Sequence, residues 1–403
     1  MKNIRIWIVT SVFICIVVFI PFFSYYKFPI SGIEIGRDGD FKRYNFPGNG
    51  KEDDPYRIEN KKISKGRKGI RIYHTTKHVI IQNCIIQGAG IGIRLNYLVS
   101  GRIHIINCTI MNCGRAFSID WVLEGVKIEG NEVISNDWSG IILDTQNTVI
   151  SQNNFQDNFV GLKILSFDGQ EMYNFCIENN TIRNSPINGF FLRDTVNVTI
   201  RNNYFLNSSL NLDDSYNWFS DDVFSEKDVI ETFKVENNYV NDKPLGFFFD
   251  LNNFDFVEKF GQLFFFDCSN ITILDQDLRN VERGIFAGKC NNISTIDTFF
   301  DYSLQYYTFW RSGIYFYQSS NISFYNVTFI EGYQNSVKYV NCYSIYIMDC
   351  NFYKTIRSCI SFIGSSQGEV IGNIFEIAED VELFSDYSDL GTFIVENNTV
   401  IYF

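Results

Sequence analysis

The chain has 403 residues, of which 45% are hydrophobic and 20% are charged, a composition typical of globular proteins. Its formal net charge of -12 argues against nucleic acid as a partner, because phosphate binding requires a basic surface. Phenylalanine (40 residues) and tyrosine (23) are abundant whereas proline (6) is scarce, which favours β-structure.

Residues 1–27 form a separate hydrophobic unit. Lys2 and Arg5 precede an apolar run from Ile6 to Phe23, which as a helix would be about 27 Å long. No small-residue cleavage site follows this run. We therefore predict one transmembrane helix that holds the protein in the cell membrane, with the N-terminus in the cytoplasm and the rest of the chain outside. Secretion after signal cleavage is the alternative. Residues 28–60 are predicted to be a lead-in that caps the next unit.

Residues 61–403 repeat a unit of about two dozen residues. A polar corner residue, usually asparagine, recurs thirteen times, and an apolar residue follows it three positions later in every unit. Within a unit apolar and polar residues alternate, as in Val198-Thr199-Ile200-Arg201, which is typical of strands. Each short strand can pair with its equivalent one unit later. The pattern therefore predicts an all-β fold, a single-stranded parallel β-helix of about 13 coils.

The corner residues predict a hydrogen-bonded column along the axis. An asparagine side chain both donates and accepts, so stacked amides can bond to one another. The predicted ladder consists of Asn83, Asn107, Asn179, Asn202, Asn237, Asn326 and Asn397. A second polar column includes Asn147, Asn197, Asn270, Asn292 and Asn321. Cysteines also recur at fixed places in the unit, so we interpret them as column members rather than as a disulfide framework.

A motif before the repeats carries a family resemblance. Residues 48–59 (GNGKEDDPYRIE) are similar to the Gly-x-Gly…Pro-Tyr-x-Ile opening of the right-handed parallel β-helix repeat family, in the pectate-lyase-like superfamily. The chain most resembles the NosD-like and archaeal surface β-helix proteins, and the resemblance covers residues 47–403. It implies a right-handed coil. NosD-like kinship would imply a role around copper delivery, but no Met, His and Cys cluster with ligand spacing is present. The scaffold hosts lyases, hydrolases, adhesins and binding proteins, so the resemblance fixes no function.

Two consecutive repeat intervals are long, 35 residues to Asn237 and 38 residues from it. They predict inserted loops near 208–231 and 241–262, which would wall a cleft on the solenoid. Aromatic rings can stack on sugars, and carboxylates can move protons or hold Ca²⁺. The candidate binding residues are Asp213, Asp214, Tyr216, Trp218, Asp221, Asp222, Asp250 and Asp255. A solvated acidic loop is the alternative interpretation.

We therefore expect a membrane-anchored β-helix outside the cell, with a binding, adhesion or scaffold role toward a cell-surface glycan or protein. The alternative is a carbohydrate-active enzyme, a polysaccharide lyase or glycoside hydrolase, that uses the 208–262 loops. No catalytic residue is predicted, and Ca²⁺ is the one cofactor considered. The sequence ends inside a repeat, at Tyr402-Phe403, so association with a partner at the C-terminal end is also expected.

Overall fold

A computed structural model describes residues 32–98, 100–166, 169–212, 227–301, 312–330, 335–355, 358–379, 381–385 and 393–402. They form a parallel β-solenoid of about 13 turns, whose coils contribute short strands to three faces. Two single-turn helices occur in the described residues, α1 (Asp40–Arg43) and α2 (Lys227–Ile230).

The N-terminal half comprises the coils before residue 241. Its first face consists of β2 (Tyr56–Glu59), β4 (Val79–Gln82), β6 (Ile103–Ile106), β9 (Val126–Glu129), β12 (Thr148–Ser151), β15 (Met172–Glu178), β18 (Thr195–Arg201) and β21 (Lys234–Glu236). Its second face consists of β7 (Thr109–Met111), β10 (Glu132–Ile134), β13 (Asn154–Gln156), β16 (Thr181–Arg183), β19 (Tyr204–Leu206) and β22 (Tyr239–Val240). Its third face consists of β1 (Ile33–Ile35), β3 (Lys62–Tyr73), β5 (Ile85–Leu98), β8 (Arg115–Val122), β11 (Trp138–Leu143), β14 (Val160–Leu165), β17 (Ile187–Leu192) and β20 (Leu210–Leu212). Strands β3 and β5 are long because they run from the second face onto the third.

The C-terminal half comprises the coils from residue 243 onward, and it repeats the three-faced arrangement. One face consists of β23 (Lys243–Phe249), β25 (Gln262–Phe266), β28 (Ile285–Gly288), β31 (Ser312–Tyr317), β34 (Asn335–Val340), β37 (Ser358–Ile363) and β40 (Phe384–Ser385). The next consists of β24 (Asn252–Phe256), β26 (Ser269–Leu274), β29 (Asn291–Ile296), β32 (Ser320–Tyr325), β35 (Tyr343–Met348), β38 (Ser366–Ile371) and β41 (Phe393–Glu396). The last consists of β27 (Asp277–Arg279), β30 (Phe299–Asp301), β33 (Thr328–Ile330), β36 (Asn351–Thr355), β39 (Ile374–Ile377) and β42 (Thr399–Tyr402).

The predicted corner column is confirmed as a set of left-handed turns. All thirteen of its residues have φ between 48° and 71°, a conformation that asparagine, aspartate and glycine tolerate best. Gly130 and Gly372 take this place in two coils, with φ of 64° and 71°. The apolar residues three positions later are buried in every coil from Ile86 to Phe375, as the repeat predicts. The solenoid therefore turns where the polar residues recur and fills its interior with the apolar columns.

The buried amide ladder lies one residue after the predicted column. In the N-terminal half it consists of Asn131, Asn153, Asn180, Asn203 and Asn238, each at most 2% exposed. Every Nδ2 except the last donates to the Oδ1 of the next coil at 2.9–3.0 Å. The same Oδ1 accepts the backbone N–H of the preceding coil's asparagine. These bonds join neighbouring coils inside the solenoid, where water cannot replace them.

The prediction for the ladder residues themselves was wrong by one position. Asn83, Asn107, Asn179, Asn202, Asn237, Asn326 and Asn397 are all exposed. At these corners the left-handed residue carries its side chain to the surface, and the following residue returns to the interior. Some corner side chains do bond at the surface, since Asn326 Nδ2 donates to Asp297 Oδ1 at 2.7 Å.

The second polar column forms a hydrogen-bonded row, as its register suggests, and this row is exposed. Asn197 Nδ2 donates to Asn174 Oδ1 at 2.6 Å, and Asn174 Nδ2 donates to Asn147 Oδ1 at 2.8 Å. The row continues in the C-terminal half, where Asn292 Nδ2 donates to Asn270 Oδ1 at 2.8 Å. An outer row of amides therefore follows another left-handed corner along both halves.

The cysteines of the described residues are free thiols, and all but Cys176 are buried. Cys84, Cys108 and Cys350 occupy the inner column that asparagine fills elsewhere. The Cys350 backbone N–H donates to Asn373 Oδ1 at 2.8 Å, just as an asparagine would. Burial raises the pKa of the Cys350 thiol to about 12. The Cys350 thiol therefore acts as a small buried side chain rather than as a nucleophile.

The two halves meet at an irregular joint, and here the predicted loop at 241–262 was wrong. Most of that stretch forms strands β23 and β24 of the parallel faces. The long interval arises because this coil has no corner of the repeat type and begins with an antiparallel turn from β22 into β23. Buried Gln262 then bonds through its side-chain amide to the backbone N–H and C=O of Leu210.

The start of the solenoid is packed against the lead-in. Phe41, from α1, is fully buried and stacks on Tyr56 with ring centroids 4.3 Å apart. The coils begin at Tyr56, five residues before the predicted start. Within the described residues no helix is long and apolar enough to cross a membrane. The predicted transmembrane segment, residues 6–23, lies outside them.

Candidate functional site

Three aromatic residues occupy one corner on successive coils of the N-terminal half. His74 follows β3, and Tyr97 and Trp121 lie near the ends of β5 and β8. The register places them in line, because Tyr73 pairs with Asn96 and Asn96 pairs with Asp120. All three have left-handed backbone conformations, with φ of 51°, 53° and 55°. Large side chains at such positions are uncommon and often belong to functional sites.

The three rings form a continuous outward row, which we call the aromatic row. His74 and Tyr97 stack with centroids 5.5 Å apart and planes 8° apart. Tyr97 and Trp121 follow at 6.3 Å and 30°. Tyr97 is 50% exposed and Trp121 is 45% exposed, so about half of each side chain is open to solvent although the rings cover part of one another. A contiguous exposed apolar row on a protein surface marks a binding site more often than isolated exposed residues do.

A polar chain lies directly beside the row, on the outer surface of the third face. Arg94 Nε donates to Asn96 Oδ1 at 2.7 Å, and Asn96 Nδ2 donates to Asp120 Oδ2 at 3.0 Å. Asn96 is 5% exposed, so its amide holds the two charged groups in fixed positions. Burial, and then the charge of Asp144 on the next coil, raise the pKa of the Asp120 carboxyl. Donors and acceptors are therefore ordered at the edge of an aromatic surface.

A second arginine extends this polar surface. Arg115 begins β8, and its guanidinium packs over the Trp138 ring, 5.3 Å from the centroid. Lys163 lies 5.1 Å from the same ring and 5.2 Å from the ring of Phe191. The Nε of Arg115 is buried without a hydrogen-bond partner. Burial, and then the positive charge of Arg94, lower the pKa of Arg115.

The predicted site residues do not form this surface. Asp213, Asp214, Tyr216, Trp218, Asp221 and Asp222 lie outside the described residues. Asp250 and Asp255 are described, and both are exposed. Asp250 occupies a left-handed corner after β23, whereas Asp255 lies on β24, where it pairs with Thr272. In the described part of the chain, no three His, Cys, Asp or Glu side chains are grouped to hold a metal ion.

The sequence did contain a signal for the aromatic row. The pairs Tyr73-His74, Asn96-Tyr97 and Asp120-Trp121 recur at intervals of 23 and 24 residues, in step with the repeat. The two longest intervals instead led to the prediction of a binding site between residues 208 and 262. The repeat's own interval was the better guide, because stacked coils bring equivalent positions together without any insertion.

The family comparison agrees with the fold. Residues 48–205 match the family model described as "Right handed beta helix region". This match and the parallel coils confirm the predicted resemblance to right-handed parallel β-helix proteins. No curated protein matches the chain significantly.

Several solved structures are similar to this chain. A mutant of the periplasmic alginate epimerase AlgG is 9% identical, with a TM-score of 0.31, and the match covers 86% of this chain and 76% of that one. The catalytic unit of an alpha-1,3-glucanase from Streptomyces thermodiastaticus is 12% identical, with a TM-score of 0.31 and coverages of 92% and 62%. A lacto-N-biosidase from Eubacterium ramulus is 11% identical, with a TM-score of 0.27 and coverages of 93% and 68%. At these scores the likenesses support no conclusion about activity.

Proposed function

We propose that this right-handed β-helix protein binds a glycan along the aromatic row. The observation that supports the proposal is the alignment of His74, Tyr97 and Trp121 on successive coils, with about half of the Tyr97 and Trp121 side chains open to solvent. Coils repeat at about 4.8 Å, so the row gives a periodic apolar strip suited to a chain of repeating units. A sugar ring has an apolar C–H face, which can pack across the exposed part of the aromatic row.

The polar chain beside the row supplies what an aromatic surface alone lacks. Sugar hydroxyl groups need fixed donors and acceptors, and Asn96 orders the side chains of Arg94 and Asp120. Tyrosine and tryptophan give large contact areas while losing little side-chain entropy. The site therefore combines stacking with directional hydrogen bonds, as small-ligand sites usually do.

The hydrophobic run at residues 6–23 gives the proposed setting for this function. As a membrane anchor with the N-terminus in the cytoplasm, it would present the solenoid outside the cell. There the aromatic row would meet cell-surface or environmental glycans, in an adhesion or scaffold role. Detection of the N-terminal residues in membrane-extracted protein tests this arrangement. Protein that begins after residue 20 would contradict the anchor and leave the glycan site untouched.

The direct test is a glycan array with the full-length protein and matched variants. Tyr97→Asn and Trp121→Asn remove the rings, and asparagine suits the left-handed backbone at both places. We expect each substitution to weaken binding about tenfold or more. The control variants are Tyr325→Ser and Tyr343→Ser, which remove tyrosines that are 49% and 52% exposed elsewhere on the solenoid. Equal loss in the controls would contradict the proposal.

A carbohydrate-active enzyme is the second candidate, and Asp120 is the observation that favours it. Burial and Asp144 raise the pKa of this carboxyl, and it lies next to the aromatic row. A carboxyl of raised pKa can exchange a proton with a bound sugar. If the protein cleaves or modifies the glycan, Asp120→Asn should remove the activity and retain binding. Turnover that survives this substitution would rule out Asp120 as the proton-transfer group.

A further inference from the structure

Two arginines on the third face, Arg94 three residues before Tyr97 and Arg115 six residues before Trp121, form no ion pair within the described residues. Within the part of the chain that the structure describes, Arg94 bonds only to the neutral amide of Asn96. Arg115 packs on Trp138, its Nε has no partner, and neither arginine forms an ion pair. A half-buried guanidinium is normally paired, because leaving its donors unused costs free energy.

A third arginine on the same surface shows the ordinary arrangement. Arg71 pairs with Arg94 in the strand register, so the two project from equivalent places on adjacent coils. Arg71 forms an ion pair with Glu34 at 3.5 Å and packs over Tyr73, 4.5 Å from the ring centroid. Its Nε is buried without a hydrogen-bond partner, as in Arg115, so the ion pair is what distinguishes the two. The structure therefore supplies a carboxylate to one arginine of the surface and not to the next two.

Arg94 and Arg115 are close enough to affect each other. Ile91 pairs with Arg115 and Arg94 pairs with Ser118, so the two arginines project from adjacent coils three positions apart. The positive charge of Arg94 lowers the pKa of Arg115, after the larger effect of burial. The charge of Arg94 acts on Asp120, but this carboxylate is hydrogen-bonded to Asn96 rather than to a guanidinium. An anion between the arginines would relieve their repulsion and satisfy their free N–H groups.

We infer that Arg94 and Arg115 bind an anionic group, a carboxylate or a sulfate, on the glycan held by the aromatic row. This inference rests on the proposed glycan binding and specifies its ligand as an acidic glycan. The planar guanidinium fork matches both groups, because each presents two oxygens in one plane. The site attracts an anion locally although the whole chain carries a net charge of -12. Selectivity for the acidic sugar thus comes from the arginine pair rather than from the overall field.

The test uses the full-length protein and an array of matched hexasaccharides. Gluco, galacto and manno backbones are each presented in neutral, C6-carboxylate and 6-sulfate forms. We expect at least one acidic form to bind about tenfold or more tightly than its neutral counterpart. The carboxylate and sulfate arms identify the anion. Equal binding of neutral and acidic forms would overturn the inference and leave the proposed function standing, whereas no binding of any form would overturn both.

Substitutions assign the preference to residues. Arg115→Gln should abolish the acidic preference and retain binding of the neutral form. Arg94→Gln should also abolish the preference, and it should weaken binding of the neutral form as well, because Arg94 belongs to the polar chain beside the row. Arg94→Lys keeps the charge without the planar fork and should restore part of the preference. The matched control is Arg71→Gln, which removes an arginine already paired with Glu34 and should leave the preference unchanged. A preference that survives Arg94→Gln and Arg115→Gln, or that is lost equally in Arg71→Gln, would overturn the inference. Thermal melting of each variant confirms that it is folded.

Discussion

The two halves of the solenoid join their coils by different means at equivalent positions. In the N-terminal half the inner column after the corner begins with Cys84 and Cys108 and continues as the amide ladder of five consecutive asparagines. In the C-terminal half this column reads Gln276, Thr298, Val327 and Cys350 before asparagine returns. The apolar column two positions later also differs between the halves, and it becomes aromatic where the amide ladder has ended. It is mostly aliphatic in the first half, whereas in the second it is a run of stacked rings that we call the phenyl stack: Phe300, Phe329, Phe352 and Phe375.

The difference shows that coil spacing does not depend on one kind of contact. The rings of the phenyl stack lie 4.8–5.0 Å apart, close to the separation of neighbouring strands in a sheet. Stacked amides satisfy the same spacing with hydrogen bonds. Where the ladder stops, the rings provide the stacking between coils by apolar burial and ring contact. In these columns the first half is therefore joined by hydrogen bonds between amides and the second by packing of rings.

The largest expected loss of stability follows from a substitution in the phenyl stack. Phe329 is 2% exposed and stacks on both Phe300 and Phe352. Phe329→Ala should lower the free energy of unfolding of the C-terminal half by about 3–5 kcal/mol, because it leaves a cavity between two rings. Urea denaturation followed by hydrogen exchange measures the loss and locates it. Phe254→Ala, at a ring that is 47% exposed, is the control and should cost far less. Equal losses of stability in the two variants would mean that a ring in the phenyl stack stabilises the fold no more than an exposed ring does.

The next largest expected loss of stability follows from a substitution in the amide ladder. Asn203→Ala removes the oxygen that accepts the backbone N–H and one Nδ2 N–H of Asn180 in a buried site, while the other Nδ2 N–H keeps its bond to the Ile150 carbonyl. We expect a loss of about 1–3 kcal/mol for each buried group left unsatisfied, concentrated in the N-terminal half. The neighbouring variant Asn202→Gly tests the column assignment, because this corner residue is exposed and glycine tolerates its φ of 54°. A greater loss in Asn202→Gly than in Asn203→Ala would restore the column predicted from sequence.

The smallest expected effect is a pH dependence of stability, which has opposite signs for one carboxyl group in each half. Asp277, in the C-terminal half, has its pKa lowered first by a hydrogen bond from Arg279 and then by Lys243. Its stabilisation is present above the ordinary value of 3.8 and is lost as the pH falls. Asp120, in the N-terminal half, has its pKa raised, so its contribution is full below 3.8 and is lost as the pH rises through the raised pKa.

Melting temperatures measured below and above pH 3.8 check these signs. As the pH rises, the wild type should gain stability relative to Asp277→Asn and lose stability relative to Asp120→Asn. Both groups are partly exposed, so the shifts are expected to be small. The same direction of change for both variants would show that the local charges do not act as described.

The sequence predicted the β-helix because the same interactions recur in every stacked coil. The corners, the apolar columns and the parallel pairing all follow from residues that recur at one interval. The amide ladder was displaced by one residue because corners such as Asn202-Asn203 offer two candidates, and only the backbone geometry decides which one points inward. The joint at Gln262 could not be predicted, because its contacts with Leu210 cross 52 residues and belong to no repeat. The aromatic row was not predicted, because its residues recur at the regular interval whereas the site was predicted from insertions.

A structure of the protein with a bound oligosaccharide tests the central claim most directly. The oligosaccharide is the one retained best on the array. We predict a sugar ring packed against the exposed parts of Tyr97 and Trp121, a hydroxyl group bonded to Asp120, and an acidic group between Arg94 and Arg115. An oligosaccharide bound on another face, for example against Tyr325 and Tyr343, would contradict the account.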